Sequence, residues 1–162
     1  MDKRMNIALE QFVPSHVCLK CEGCCRYASE DSLWRPKWDK KEFVDDQDYV
    51  TTIQDCGKHL CRFLNKGDNT CLVYSARPFE CALYPFILSK KGKTIEVYVH
   101  LACPYVQDNQ ANPALDQYIT YLRDFFKTPE TIAFLKRQRH LIHDYASVMV
   151  ELQHVFTIPE PL

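Results

Sequence analysis

Apolar positions along the chain follow two regimes that meet near residue 108. Downstream, Leu115, Tyr118, Ile119, Leu122, Phe125 and Phe126 recur at the i, i+3, i+4, i+7 spacing of one helix face. Asn112-Pro113 supplies an N-cap followed by proline at the first helical position. Thr128-Pro129-Glu130 repeats that signal, with an acid near the positive end of the helix dipole. Leu135, Ile142, Tyr145, Met149, Leu152 and Phe156 then continue at three–four spacing, after one longer step, until Pro159. The pattern predicts two antiparallel helices, the second spanning 129 to 156 and roughly 42 Å long.

Upstream the pattern shortens to strands. Cys61-Arg-Phe-Leu64 and Cys71-Leu-Val-Tyr74 flank the turn-rich Asn65-Lys-Gly-Asp-Asn69, and Ala82 to Leu88 and Thr94 to His100 flank Lys90-Lys-Gly-Lys93. Thr94 to His100 alternates cleanly and puts Ile95, Val97, Val99 and Leu101 on one face. Pro85 suits a sheet edge or a strand end. The expected fold class is α+β: a small, irregular, metal-centred cysteine-rich domain over 1–108 with short hairpins. A C-terminal antiparallel helical hairpin over 109–162 packs on it.

Composition narrows the chemistry. The 162 residues are 46% hydrophobic and 25% charged, which is globular composition. A formal charge of -1 argues against a general nucleic-acid or anionic-membrane binder. Four glycines, with neither GxGxxG nor GxxxxGK among them, leave no phosphate-cradling loop of the familiar kinds. The first ten residues carry no apolar signal region, and Ala82 to Leu88 is far too short to span a membrane. A cytoplasmic location is expected, where thiols stay reduced. All nine cysteines fall between Cys18 and Cys103, and an odd number excludes a fully paired disulfide framework.

Cys18-Leu-Lys-Cys21-Glu-Gly-Cys24-Cys25 concentrates the signal. Two residues between cysteines let neighbouring sulfurs converge on one centre from a tight turn, and Gly23 relieves the backbone there. The C-x2-C-x2-C run is the spacing of bacterial ferredoxins, whose remaining cysteine precedes proline; Cys103-Pro104 offers a remote counterpart. Cys18, Cys21, Cys24 and Cys103 are therefore candidate cluster ligands. On a regular backbone Cys24 and Cys25 diverge, so one would ligate while the other faces a second centre or stays free. Cys18, Cys21, Cys24, Cys25, Cys61, Cys71, Cys81 and Cys103 together form the candidate metal-binding set. These eight can build two four-thiolate sites, or one cluster plus a reactive remainder.

The ordered combination is more specific than its pieces: Cys18, Cys21, Gly23, Cys24 and Cys25, then Cys61-Arg-Phe-Leu64. After these come Cys71-Leu-Val-Tyr74, Arg77-Pro78, Cys81, Tyr84-Pro85 and finally Cys103. It resembles the CxxCxxCC, or YkgJ-like, family of zinc- or iron-chelating cysteine-cluster proteins, over roughly residues 16 to 105. That resemblance implies a small domain binding iron, as an iron–sulfur cluster, or zinc through cysteine thiolates. Flagellin lysine N-methylases look similar at the cysteine motif, but this chain lacks their additional length, and no enzymatic role carries over. Cys56 and the tail beyond 108 lie outside the pattern.

Other residues invite plainer readings. Cys56 reads as a free thiol. His16, His59 and His100 precede cysteines and can replace a sulfur or support one from behind. His140 and His143 share a helix face that reads as solvated. Arg77 can close a salt-bridged turn or donate to cluster sulfurs. Trp34 and Trp38, with Lys37, Lys40 and Lys41, read as core with snorkelling lysines rather than a nucleotide platform. No serine–histidine–acid order, zincin motif or recognisable carboxylate pair points to hydrolysis. Three functions remain open: an iron–sulfur protein serving electron transfer or a modification reaction, a structural zinc module whose helices bind a protein partner, and a thiol-based metal chaperone or redox enzyme using Cys24 and Cys25.

Overall fold

The computed structural model describes residues 7–38 and 49–158. Lys40, Lys41 and the Pro159 stop signal lie outside the described residues. The fold is mixed α and β with antiparallel sheets, as the α+β reading expects. The chain divides into two compact units, residues 13–82 and residues 7–12 with 83–158.

The cysteine-bearing unit begins with one helical turn, α1 (Ser15–Cys18), followed by β1 (Arg26–Tyr27). Strands β2 (Thr52–Asp55) and β3 (Lys58–Cys61) complete a three-stranded sheet in the order β1-β3-β2. Register pairs Tyr27 with His59 and Thr52 with Cys61. The β2–β3 turn consists of Cys56 and Gly57, with φ of 47° and 77°. Positive φ at both positions matches the right-handed twist of a tight hairpin. β4 (Leu64–Asn65) pairs with β5 (Thr70–Cys71) around the expected 65–69 connector, and α2 (Phe79–Leu83) carries Cys81. Tyr27, Trp38, Val50, Leu60, Cys61 and Leu64 form the buried cluster, with Cys25 and Phe63 packed against it. Among the described residues that cluster is small, and small scaffolds commonly need a metal or disulfides to hold together.

In the second unit, β6 (Phe86–Lys91) and β7 (Thr94–His100) form the expected hairpin, with Gly92 at φ 59° opening its two-residue turn. Ile95, Val97 and Val99 share the buried face, at 1%, 0% and 3% exposure. After α3 (Pro104–Asn109) come α4 (Pro113–Phe125) and α5 (Pro129–Arg137). Both of the last two start where the capping residues predict: Asn112 Oδ1 accepts from Ala114 N at 2.9 Å, and Thr128 Oγ1 from Thr131 N at 3.3 Å.

The expected helix over 129–156 is corrected. α5 ends at Arg137, a 3-10 turn follows at Arg139–Leu141, and Leu152–Ile158 forms a strand, β8, on the free side of β7. The reason is a competition of periods. Leu152 and Phe156 fit a helix face, but Phe156 and Ile158 also alternate, and Val155, Thr157 and Ile158 are β-branched. Pairing with the buried β7 decides in favour of the strand, so the C-terminal region is not a helical hairpin alone.

Candidate metal centre

Four short elements carry Cys18, Cys61, Cys71 and Cys81 within residues 13–82, and the loop after the first of them adds Cys21, Cys24 and Cys25. Cys18 ends α1, and a succession of turns (Cys21 N to Cys18 O at 3.2 Å, Arg26 N to Gly23 O at 3.2 Å) folds Cys21, Cys24 and Cys25 back on it. Gly23 is needed for space: a Cβ there would lie 3.2 Å from Cys21 Sγ. Cys61 N donates to Cys25 O at 2.9 Å, which locks the motif to the end of β3. Cys71 closes β5 and Cys81 sits in α2. Asn69, at φ 61° in the β4–β5 turn, accepts from Arg26 Nη2 and donates from Nδ2 to Cys21 O at 2.7 Å. All nine cysteines are free thiols.

Electrostatics shows how near these thiols are to one another. A hydrogen bond with Cys24 is the main influence on Cys25 and, with the nearby Arg26 guanidinium, brings it down to about 7 against the opposing effect of burial. The same hydrogen bond pushes Cys24 well up, reinforced by crowding and by charge on Cys25, Cys81 and Cys18. Over the whole residue Cys24 is exposed, yet the sulfur faces this company, and the sulfur's surroundings govern its ionisation. Burial raises Cys61 to about 11, and charge on Cys25 and Cys71 adds to it. Burial likewise raises Cys18, Cys71 and Cys81, and the Cys25 charge acts on all three. Arg77, stacked 3.9 Å from the Tyr74 ring centroid, opposes the rise at Cys18 and Cys71. Cys21 enters through its effect on Cys18.

Cys25 thus interacts with Cys18, Cys24, Cys61, Cys71 and Cys81. The expected divergence of Cys24 and Cys25 is not observed, because they occupy a turn, where the alternation of a regular strand does not apply. Among the described residues, no three His, Cys, Asp or Glu side chains are already arranged to hold a metal ion. The donor set nonetheless fits one in chemistry: soft sulfurs suit zinc and iron–sulfur centres, and ligation requires their deprotonation. A second sign is Arg26 Nη1, which is buried with no hydrogen-bond acceptor among the described residues and whose guanidinium acts on Cys25. Anionic sulfur is the acceptor such a donor lacks.

The remaining candidates separate. Cys103 is buried at the N-cap of α3 and belongs to the other unit. Cys56 is exposed at its hairpin tip. His59 lies in β3, His16 in α1, and His100 Nδ1 lies 2.8 Å from Tyr84 Oη. His140 falls in the 3-10 turn and His143 beyond it, so they share no helix face. Trp38 is core at 6% exposure, Trp34 is exposed, and Lys37 is buried beside Glu80 at 3.5 Å. Cysteine spacing alone misses Tyr27 and Tyr74, whose hydroxyls oppose the effect of burial on Cys61 and Cys18, after the Phe63 backbone at the first and Arg77 at the second. Their sequence signal is proximity, Tyr27 two residues after Cys25 and Tyr74 three after Cys71.

Among the described residues, no helix is long and apolar enough to cross a membrane. A family model described as "CxxCxxCC: Putative zinc- or iron-chelating domain" matches residues 17–111. No curated protein and no solved structure matches the chain.

Proposed function

Since the chain belongs to the CxxCxxCC family, we propose that residues 13–82 hold an iron–sulfur cluster or zinc through cysteine thiolates and act as an electron-transfer or modification accessory. The carrying observation is Cys25, whose charge acts on five other cysteines. Cys18, Cys21, Cys24, Cys25, Cys61, Cys71 and Cys81 would supply the ligands. Seven sulfurs exceed the four that one tetrahedral zinc takes, which favours a centre with more than one metal atom. Bound there, the metal would supply redox capacity if iron and a rigid crosslink if zinc. The protein's own contribution is to gather the thiols, to direct Arg26 and Arg77 at their charge, and to support Cys18 and Cys61 with tyrosine hydroxyls. Cys103, the eighth cysteine of the sequence pattern, belongs to the other unit.

Elemental analysis of untagged protein, purified without oxygen and without added metal, tests the reading. About four iron atoms per chain with visible absorbance supports the cluster; about one or two zinc atoms and no iron supports the structural module. Metal-free protein that melts as the native chain does would sink both. A second reading has its own observation. The hydrogen-bonded Cys24–Cys25 pair, with Cys25 lowered to about 7, would be the transfer point of a metal chaperone or thiol redox enzyme. Rapid alkylation of that pair in metal-loaded protein would favour it.

A further inference from the structure

We infer that the turn end of the β6–β7 hairpin is a binding site for a small phosphate-bearing molecule, held as its phosphoryl anion by Lys90, Lys93 and Arg139. These residues line a cavity of about 110 Å³ in the second unit. Lys90 and Lys93 come from the hairpin and Arg139 from the 3-10 turn after α5, so the tertiary fold rather than one basic run gathers the charge. Lys90 N donates to His143 O at 2.9 Å, which fixes the hairpin to the segment beyond that turn.

Among the described residues the cations have no local counter-charge. No carboxylate lines the cavity, and among the described residues none of the three side chains forms an ion pair. Glu96, near in sequence, is opposite Ser89 and Thr157, while Lys90 is opposite Ile95, so alternation puts Glu96 on the other face of the sheet. Its carboxylate is already engaged there by His154 and Thr157. Asp144 Oδ1 accepts from Ser147 N. Lys90, Lys93 and Arg139 are all exposed at this one cavity, and an anion bound there would offset their mutual repulsion. Arg139 offers the planar fork that matches phosphate oxygens, and charge-assisted hydrogen bonds of this kind are strong.

The cavity also has an apolar wall. Ile95 and Ile142, 1% and 8% exposed, line it together with the three cations. Gly92 has nothing within 4 Å of where a Cβ would stand, which leaves the turn side open. A monoester fits such a place better than free phosphate, its phosphoryl group at the cations and its carbon portion against the isoleucines. The site draws only on the second unit and stands or falls independently of the metal centre.

The test is calorimetric titration of the full chain with inorganic phosphate and with phenyl phosphate at fixed chloride. Saturable one-to-one binding is expected, tighter for phenyl phosphate. Arg139→Gln should weaken it about tenfold or more, with partial recovery in Arg139→Lys. Lys91→Gln removes the same charge from the opposite face and should leave affinity unchanged. Circular dichroism and Tm accompany each variant, and Lys93→Gln replaces Arg139→Gln if the latter does not fold. Absence of saturable binding, no loss in the cavity variant, or equal losses in Lys91→Gln and the cavity variant would overturn the inference. Binding to phosphatidic acid vesicles without binding to either soluble probe would also overturn it.

Discussion

At the scale of single residues, Cys25 differs from the other cysteines in having so many of them for company. Cys25→Ser should strip most of the metal and leave little soluble protein, because a structural site contributes on the order of 10 kcal/mol to folding. Cys56→Ser, at an exposed hairpin tip, should keep wild-type metal content and Tm; metal analysis with thermal melting checks the pair. The cysteine spacing made the thiols legible in the sequence. Arg26 and Asn69 were not, since their role depends on a turn at 65–69 meeting the loop at 21–26, which no local pattern encodes. Glu96 carries a pH prediction. Burial opposes its ionisation, but hydrogen bonds from Thr157 and His154 outweigh this and hold it below its ordinary 4.5. Its stabilisation is complete above 4.5 and is lost as pH falls through the lower folded value. The Tm gap between wild type and Glu96→Gln should therefore be widest at neutral pH and close in acid.

At the scale of elements, local signals succeeded where one period had no rival. Strand β7 was readable because Ile95, Val97 and Val99 alternate, and α4 because Asn112-Pro113 marks its start. Strand β8 was not readable, because Leu152 and Phe156 satisfy a helical period and a strand period together, and only β7 breaks the tie. Strand β2 had no signal either: Thr52-Ile53-Gln54-Asp55 does not alternate with burial. Helix α2 gives a sharper experiment than its five residues promise. Glu80 in its first turn pairs with Lys37, which is 3% exposed, and accepts from Lys37 N at 2.6 Å. Burial pulls the Lys37 pKa down, and the Glu80 charge resists that fall. Glu80→Gln removes that carboxylate's charge from beside the ammonium and should cost about 1–3 kcal/mol in urea unfolding. Thr128→Ala, at the cap of α5, should cost only about 1 kcal/mol.

At the scale of the whole molecule, the two units differ in what holds them. Among the described residues, 13–82 have a small apolar cluster and many thiols, whereas the second unit buries Phe86, Val97, Leu122, Phe126, Leu135 and Phe156. Removing the metal with a chelator under reducing conditions should therefore cost hydrogen-exchange protection first in Tyr27, Leu60 and Leu64, while β7 stays protected. Uniform loss across both would show that the metal stabilises the chain as one cooperative body. The order of strands β6-β7-β8 also bears on how the protein is made. β7 is complete by His100, but its second neighbour begins only at Leu152. During synthesis the strand carrying Ile95, Val97 and Val99 waits with one bare edge until Leu152–Ile158 emerges. A stalled ribosome or a premature stop anywhere in that interval would release a polypeptide with an unpaired, β-prone strand, the kind of product that chaperones and proteases are there to intercept.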